Sequence, residues 1–262
     1  MERVHMNRLL VFASILMLTM NGCTRATERA VSHPDFSGVW TSPGAEYVHL
    51  PEQTKPKFTS LAATNLAHYE SNYDIGKDDP AVVCFLKGMP WTVLMRPRDY
   101  PVEIYQTSDR VFMFFELYDT YRSIRLNEAT FPENLPPAAN GYSIAHWDNN
   151  ALIIETRNMP AINPISPYPR SDQARVIERW TIEQHPQLGE ILRVAVTVYD
   201  PVIYKEPGHG DMIFKRAPAG TKVGGYNCSA QLWDDYVARR ESAIAAKTSV
   251  SKTAHKAPNN LN

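Results

Sequence analysis

The sequence predicts a mainly β protein, a single antiparallel β-barrel of about 8–10 strands with one internal helix and a C-terminal helix. Three observations carry this. Apolar residues recur with a period of two in segment after segment from Val102 onward. Helical spacing is confined to two stretches, about Thr59–Ser71 and Ser229–Ala246. Proline outnumbers glycine, 20 to 12, which suits loop-punctuated strands better than a helical bundle. A two-sheet sandwich is the competing arrangement of the same strands.

Gly38–Thr41 opens the strand series. In the first helix Phe58, Leu61, Ala62, Leu66 and Tyr69 fall on one stripe. Thr92–Arg96, Val102–Gln106, Val111–Leu117 and Thr120–Leu126 read as four strands in quick succession, with turns at Ser108-Asp109 and Tyr118-Asp119. After a connection containing Pro132, Pro136 and Pro137, Ser143–Trp147 and Ala151–Arg157 form a hairpin across Asp148-Asn149-Asn150. Arg175–Glu183 and Ile191–Tyr199 follow. In the latter Leu192, Val194, Val196 and Val198 share one face. Met212–Lys215 is a last short strand, and Leu232, Trp233, Tyr236, Val237 and Ile244 mark the buried stripe of the final helix.

Residues 1–22 read as a signal peptide: Arg3 and Arg8 precede an uncharged run from Leu9 to Met20. As a helix that run rises only about 18 Å, short of the roughly 30 Å hydrocarbon core. It ends in Met20-Asn21-Gly22-Cys23, similar to a bacterial lipobox, although Met20 and Asn21 replace its usual residues. Lipid attachment at Cys23 is the expectation, with cleavage and periplasmic release as the alternative. Residues 23–34 form a tether, 35–246 the barrel domain and 247–262 a disordered tail. Export leaves Cys84 and Cys228 in an oxidising compartment, where a disulfide between them is the economical reading and two buried thiols the alternative.

A formal net charge of −1 argues against a dedicated nucleic-acid binder. No phosphate loop, G-x-G-x-x-G or H-E-x-x-H occurs, so neither a cofactor nor a metal is expected. Gly141-Tyr142-Ser143-Ile144-Ala145 lacks the strand-before, helix-after context of a nucleophile elbow. The informative feature is charge within aromatic strands. Arg96, Glu103, Glu116 and Arg122 can project from neighbouring strands into one interior, where buried charges need partners. Tyr105 and Tyr121 stand beside them, Phe112 and Phe114 offer ring contacts, and His146-Trp147 closes a strand. The alternative for each charge is an ordinary surface pair on a wet face.

Two resemblances add expectations. Asp35-Phe36-Ser37-Gly38-Val39-Trp40 resembles the first strand of lipocalin-like barrels, whose G-x-W tryptophan closes the barrel base under an arginine from a late strand. Arg179 or Arg193 is the candidate for that arginine. From about Asp35 to Cys228 the chain also resembles a largely uncharacterised family of exported bacterial proteins. Its pattern includes D-F-S-G-V-W, a C-x-x-G-x-P-like segment (Cys84 to Pro90), P-x-E-I-x-Q (Pro101 to Gln106), Glu116 with Arg122-Ser123-Ile124, Glu178-Arg179 and D-P-x-x-Y (Asp200 to Tyr204). The chain departs from it at Asn127–Pro132, where a family histidine is missing, and at Asp148-Asn149-Asn150. Some members resemble cofactor-independent decarboxylases of aromatic acids, and phenolic acid decarboxylases place Tyr, Arg and Glu in a lipocalin-like barrel.

The resemblance therefore implies an exported lyase, decarboxylase-like, acting on a small aromatic or hydrophobic acid. Arg122 or Arg96 would hold the acid, Tyr105 and Tyr121 would orient it, and Glu116 or Glu103 would relay a proton, with His146 a further acid or base. Phe112, Phe114 and Trp147 would line the pocket. The reading of a different class is a non-catalytic lipoprotein binding a small hydrophobic ligand at the envelope, held to the membrane through Cys23.

Overall fold

The computed structural model describes residues 33–44, 57–94, 100–227 and 233–254. The signal peptide, Cys23, Arg96 and Cys228 lie outside the described residues, and with them the lipid-attachment and disulfide expectations.

The chain folds as a lipocalin-like barrel of nine strands closed in sequence order: β1 (Gly38–Thr41), β2 (Val102–Gln106), β3 (Arg110–Phe115), β4 (Thr120–Arg125), β5 (Tyr142–Asp148), β6 (Ala151–Arg157), β7 (Arg175–His185), β8 (Gly189–Tyr199) and β9 (Gly208–Arg216). β1 pairs with both β2 and β9, which removes every free sheet edge from the ring. The helices are α1 (Ser60–Asn72), α2 (Trp91–Leu94) and α3 (Trp233–Ala254). The expected boundary at 246 falls inside α3, so the helix continues into the stretch expected to be a tail. Among the described residues no helix is long and apolar enough to cross a membrane.

The barrel departs from a purely antiparallel plan at one place. β4 and β5 run parallel, through Ile124↔Ser143 and Arg125↔Ile144. A closed ring must reverse direction an even number of times, so nine strands cannot all be antiparallel to their neighbours. The proline-rich stretch after Leu126 makes the necessary return. It ends where Asn140 donates from Nδ2 to the Tyr121 carbonyl, at the start of β4.

The expected strand at Thr92–Arg96 is the other correction. Residues Trp91–Leu94 make a helical turn, in which the Val93 and Leu94 N–H groups donate to the Pro90 carbonyl. Tertiary packing overrides the β-preference of Thr92 and Val93. Val93 is buried in the core, and Leu94 packs against Gly210 of β9, where a side chain would collide with it. The contact accounts for glycine at position 210; Gly208, His209 and Gly210 open β9, with His209 opposite Thr197.

The base of the barrel is closed by aromatics. Trp147 stacks between His33 and Phe36, and Phe36 meets Trp180 edge-on. Trp40 is fully buried there, under the guanidinium of Arg216. Neither expected arginine takes that part: Arg179 pairs with Asp148, and Arg193 pairs with Glu183 and Asp211. The opposite end is plugged by the segment that carries α2. Met89 and Val93 enter the core, while Arg170 donates to the carbonyls of Lys87, Met89 and Pro160. Gly88, at φ +68°, has the Ala139 carbonyl where a side chain would stand, so only glycine lets the plug seat.

α3 meets α1 through His68 and Glu241, and a polar clamp joins it to the segment that follows α1. Asp78 accepts from the Tyr236 hydroxyl and from Arg240, and Glu241 accepts from the Tyr73 hydroxyl. Trp233 and Val237 of α3 form a small second core with Ile162.

Candidate functional site

Among the described residues, the charged residues of the aromatic strands do not converge. Register decides this, because side chains alternate across a strand. Ile104 stands opposite Met113, and Met113 opposite Arg122, so these three share the interior face. Glu103 stands opposite Phe114, and Phe114 opposite Tyr121, so these share the outer face. Tyr105 and Tyr121 are 60% and 68% exposed. Glu103 and Phe114 are exposed and Phe112 is half-buried on the same outer face. His146 is exposed on β5, and Trp147 belongs to the base stack. Among the described residues, these side chains do not line one common pocket.

Arg122 is buried, 2% exposed, but it already has partners. Its Nη1 donates to Glu178 Oε2 at 2.9 Å and its Nη2 to Oε1 at 2.5 Å. Nη2 also reaches Thr156 Oγ1 at 2.8 Å, and Nε reaches Ser143 Oγ at 3.3 Å. Trp180 Nε1 donates to Glu178 Oε2 at 3.1 Å. Every nitrogen of the guanidinium thus donates to a protein acceptor, and the bidentate carboxylate is an internal one. This network satisfies a buried charge pair and fills the barrel; a substrate carboxylate would have to displace Glu178.

Glu116 lies in the turn after β3 and holds a different segment. Its Oε2 accepts from the Gly224 N–H at 2.6 Å, and Asp119 Oδ1 accepts from the Tyr226 N–H at 2.7 Å. The strap beyond β9 is thereby pinned near the mouth of the barrel, with Tyr226 packed edge-on against Tyr100 and Tyr118.

Beside the plug is a cleft that opens to solvent. Leu86, Lys87, Gly88, Trp91 and Thr92 form one wall. The ends of β2–β4 form the other, through Tyr100, Pro101, Phe115, Leu117, Tyr118 and Thr120. Its composition is that of a small-molecule site, mostly apolar with a few polar groups. The one ionisable amine among these residues is Lys87, only 2% exposed. Its Nζ lies 3.2 Å from Asp79 Oδ1 and 3.6 Å from the centre of the Tyr168 ring. Burial lowers the Lys87 pKa from its ordinary value, against the raising pull of Asp79. Burial also pushes the Tyr118 phenol up to about 12, with Tyr226 adding to the shift, so the phenol is neutral at physiological pH.

Lys87, Trp91 and Tyr118 are not among the residues that the sequence singles out as functional. The signal for the first two is present in the C-x-x-G-x-P-like segment, which brackets Lys87 and leads directly into Trp91. Among the described residues no group of three or more His, Cys, Asp or Glu is placed to hold a metal. Compared with protein-family models and with curated proteins, the sequence gives no match.

Proposed function

We propose that this protein is a non-catalytic binding lipoprotein of the cell envelope, which takes one small, flat hydrophobic ligand in the cleft at the barrel mouth. The observation that carries this reading is the make-up of the cleft. It combines an apolar, aromatic wall with one buried amine, while the described acid–base groups expected to do chemistry lie on the outer face, hold the strap through Glu116 or are consumed in the Arg122–Glu178 pair. Rings such as Trp91, Phe115 and Tyr118 bind flat ligands through area and ring geometry without requiring a reaction.

The test uses the purified full chain in mild detergent with a panel of aromatic compounds. Saturable binding at one equivalent, with the ligand recovered unchanged after long incubation, is the expected result. Decarboxylated or otherwise altered product would overturn it in favour of a lyase. The same reading places the protein at the membrane through Cys23, so Cys23→Ser should abolish incorporation of a radiolabelled fatty acid. It also pairs Cys84 with Cys228. Denatured, unreduced protein should then resist alkylation at both positions until a reductant is added.

A further inference from the structure

We infer that the outer face of β2–β4 rests on the surface of a phospholipid bilayer, with Tyr105, Phe112, Phe114 and Tyr121 set among the headgroups. This rests on the anchor at Cys23 proposed above and adds the wall that the anchored barrel presents to the lipid.

Register gathers these four rings into one patch. Tyr105 stands opposite Phe112, and Phe114 stands opposite Tyr121. Both tyrosines are more than half exposed, and Phe114 is 46% exposed. Large hydrophobic side chains collected on one exposed wall mark an interaction surface. Tyrosine suits the boundary of a bilayer, where its ring enters the apolar side and its hydroxyl stays hydrated.

The route of the chain selects lipid as the occupant. Phe36 N–H donates to Gln106 Oε1 at 3.1 Å, and Gln106 Nε2 donates to the Pro34 carbonyl at 3.1 Å. The segment entering the barrel is thus fastened to the residue next to Tyr105, at the edge of the patch. His33 stands ten positions after Cys23, a reach of at most about 36 Å. An acylated Cys23 therefore keeps these rings close to the bilayer. A tether that short gives an effective concentration of roughly millimolar order, at which weak contacts suffice.

Charge decides which bilayer. Arg110 and Arg125 stand opposite each other at the end of the patch, and they pair with Asp109 and Glu128. Glu103 adds a negative charge beside Phe114. The face has no cationic surplus to draw anionic lipid, so the contact is apolar and the fitting surface zwitterionic.

The experiment puts the full chain, made in a bacterium that acylates lipoproteins, into phosphatidylcholine vesicles containing a photoreactive phospholipid. Lipid adducts are then mapped by mass spectrometry. They should be about tenfold denser on β2–β4 than on β8 and β9. Tyr105→Ser with Phe114→Ser and Tyr121→Ser, all at exposed side chains, should cut that labelling about tenfold. Adding phosphatidylglycerol should change it by less than about twofold. Adducts spread evenly over the barrel, labelling that the triple variant keeps, or a large rise with phosphatidylglycerol overturns the inference. A dimer in detergent that the triple variant dissolves gives the face to a second copy and also overturns it. A chain not acylated at Cys23 overturns the anchor, whereas one acylated but evenly labelled overturns the docking face alone. Should the triple variant fail to fold, the wild-type adduct map decides.

Discussion

The guanidinium of Arg216 lies 3.9 Å from the centre of the Trp40 ring and donates to the Ser37 carbonyl and to Glu190, so the last strand locks the first. The space it occupies exists because residue 38 is glycine. Gly38 adopts φ +124°, and a side chain there would run into the guanidinium. The G-x-W pattern is thus a steric requirement of the arginine stack. Arg216→Ala should cost about 1–2 kcal/mol in urea unfolding, from the lost ring stacking and hydrogen bonds. Gly38→Val should cost more, since it adds backbone strain to the loss of the stack.

The Arg122–Glu178 pair should behave as a buried charge pair and not as a ligand site. Arg122→Met and Glu178→Gln each leave a partner without its counterpart, and each should destabilise the protein by about 3–5 kcal/mol. The double replacement Arg122→Met with Glu178→Leu should recover much of that loss. Variants that remain folded should bind cleft ligands with unchanged affinity, which calorimetry beside the denaturation curves will show.

Glu116 and Asp119 should act on the strap alone. Glu116→Ala removes the acceptor for the Gly224 N–H. Amide exchange at Gly224 and Tyr226 should quicken about tenfold, with the global unfolding midpoint nearly unchanged. Slowed or unaltered exchange in the variant would show that the strap is held by other means.

Acid should first weaken the clamp that joins α3 to the segment after α1. Burial raises the Asp78 carboxyl, but the Tyr236 hydroxyl, the Asp74 N–H and Arg240 outweigh it and hold its pKa below 3.8. Glu241 is likewise raised by burial and brought below 4.5 by Tyr73 and His68. Both pKa values are lower folded than unfolded, so the folded chain binds fewer protons in acid. The stabilisation is complete above the ordinary carboxylate range and is lost as pH falls from about 5 to 2. Melting temperature followed across that range should drop, and Asp78→Asn should flatten the dependence while lowering stability at neutral pH.

The strands are legible in the sequence where one face alone is apolar. Along β8 the alternation of Leu192, Val194, Val196 and Val198 with Arg193, Ala195 and Thr197 identifies both the strand and its inward side. In β3 both faces are apolar, with Val111 and Met113 on one and Phe112 and Phe114 on the other, so composition does not say which looks inward. Turn register settles it, and register also divides Arg122 from Glu103 and Tyr121. The partner of Arg122 lies 56 residues away, a separation for which a sequence offers no local pattern. The cleft is hidden for a related reason. Thr92 and Val93 carry β-branched chemistry in a helical turn, and Trp91 becomes a wall residue only once Leu94 docks on Gly210.

The parallel junction has a mechanical consequence. β4 and β5 share only two register pairs, as few as β1 and β9, whereas the successive pairings from β5 to β9 carry five to eleven. At this seam the side chain of Arg122 does what the backbone does not. Rooted in β4, it grips Ser143 on β5, Thr156 on β6 and Glu178 on β7. It ties four strands together at the seam where a pulled or thermally agitated barrel would otherwise open.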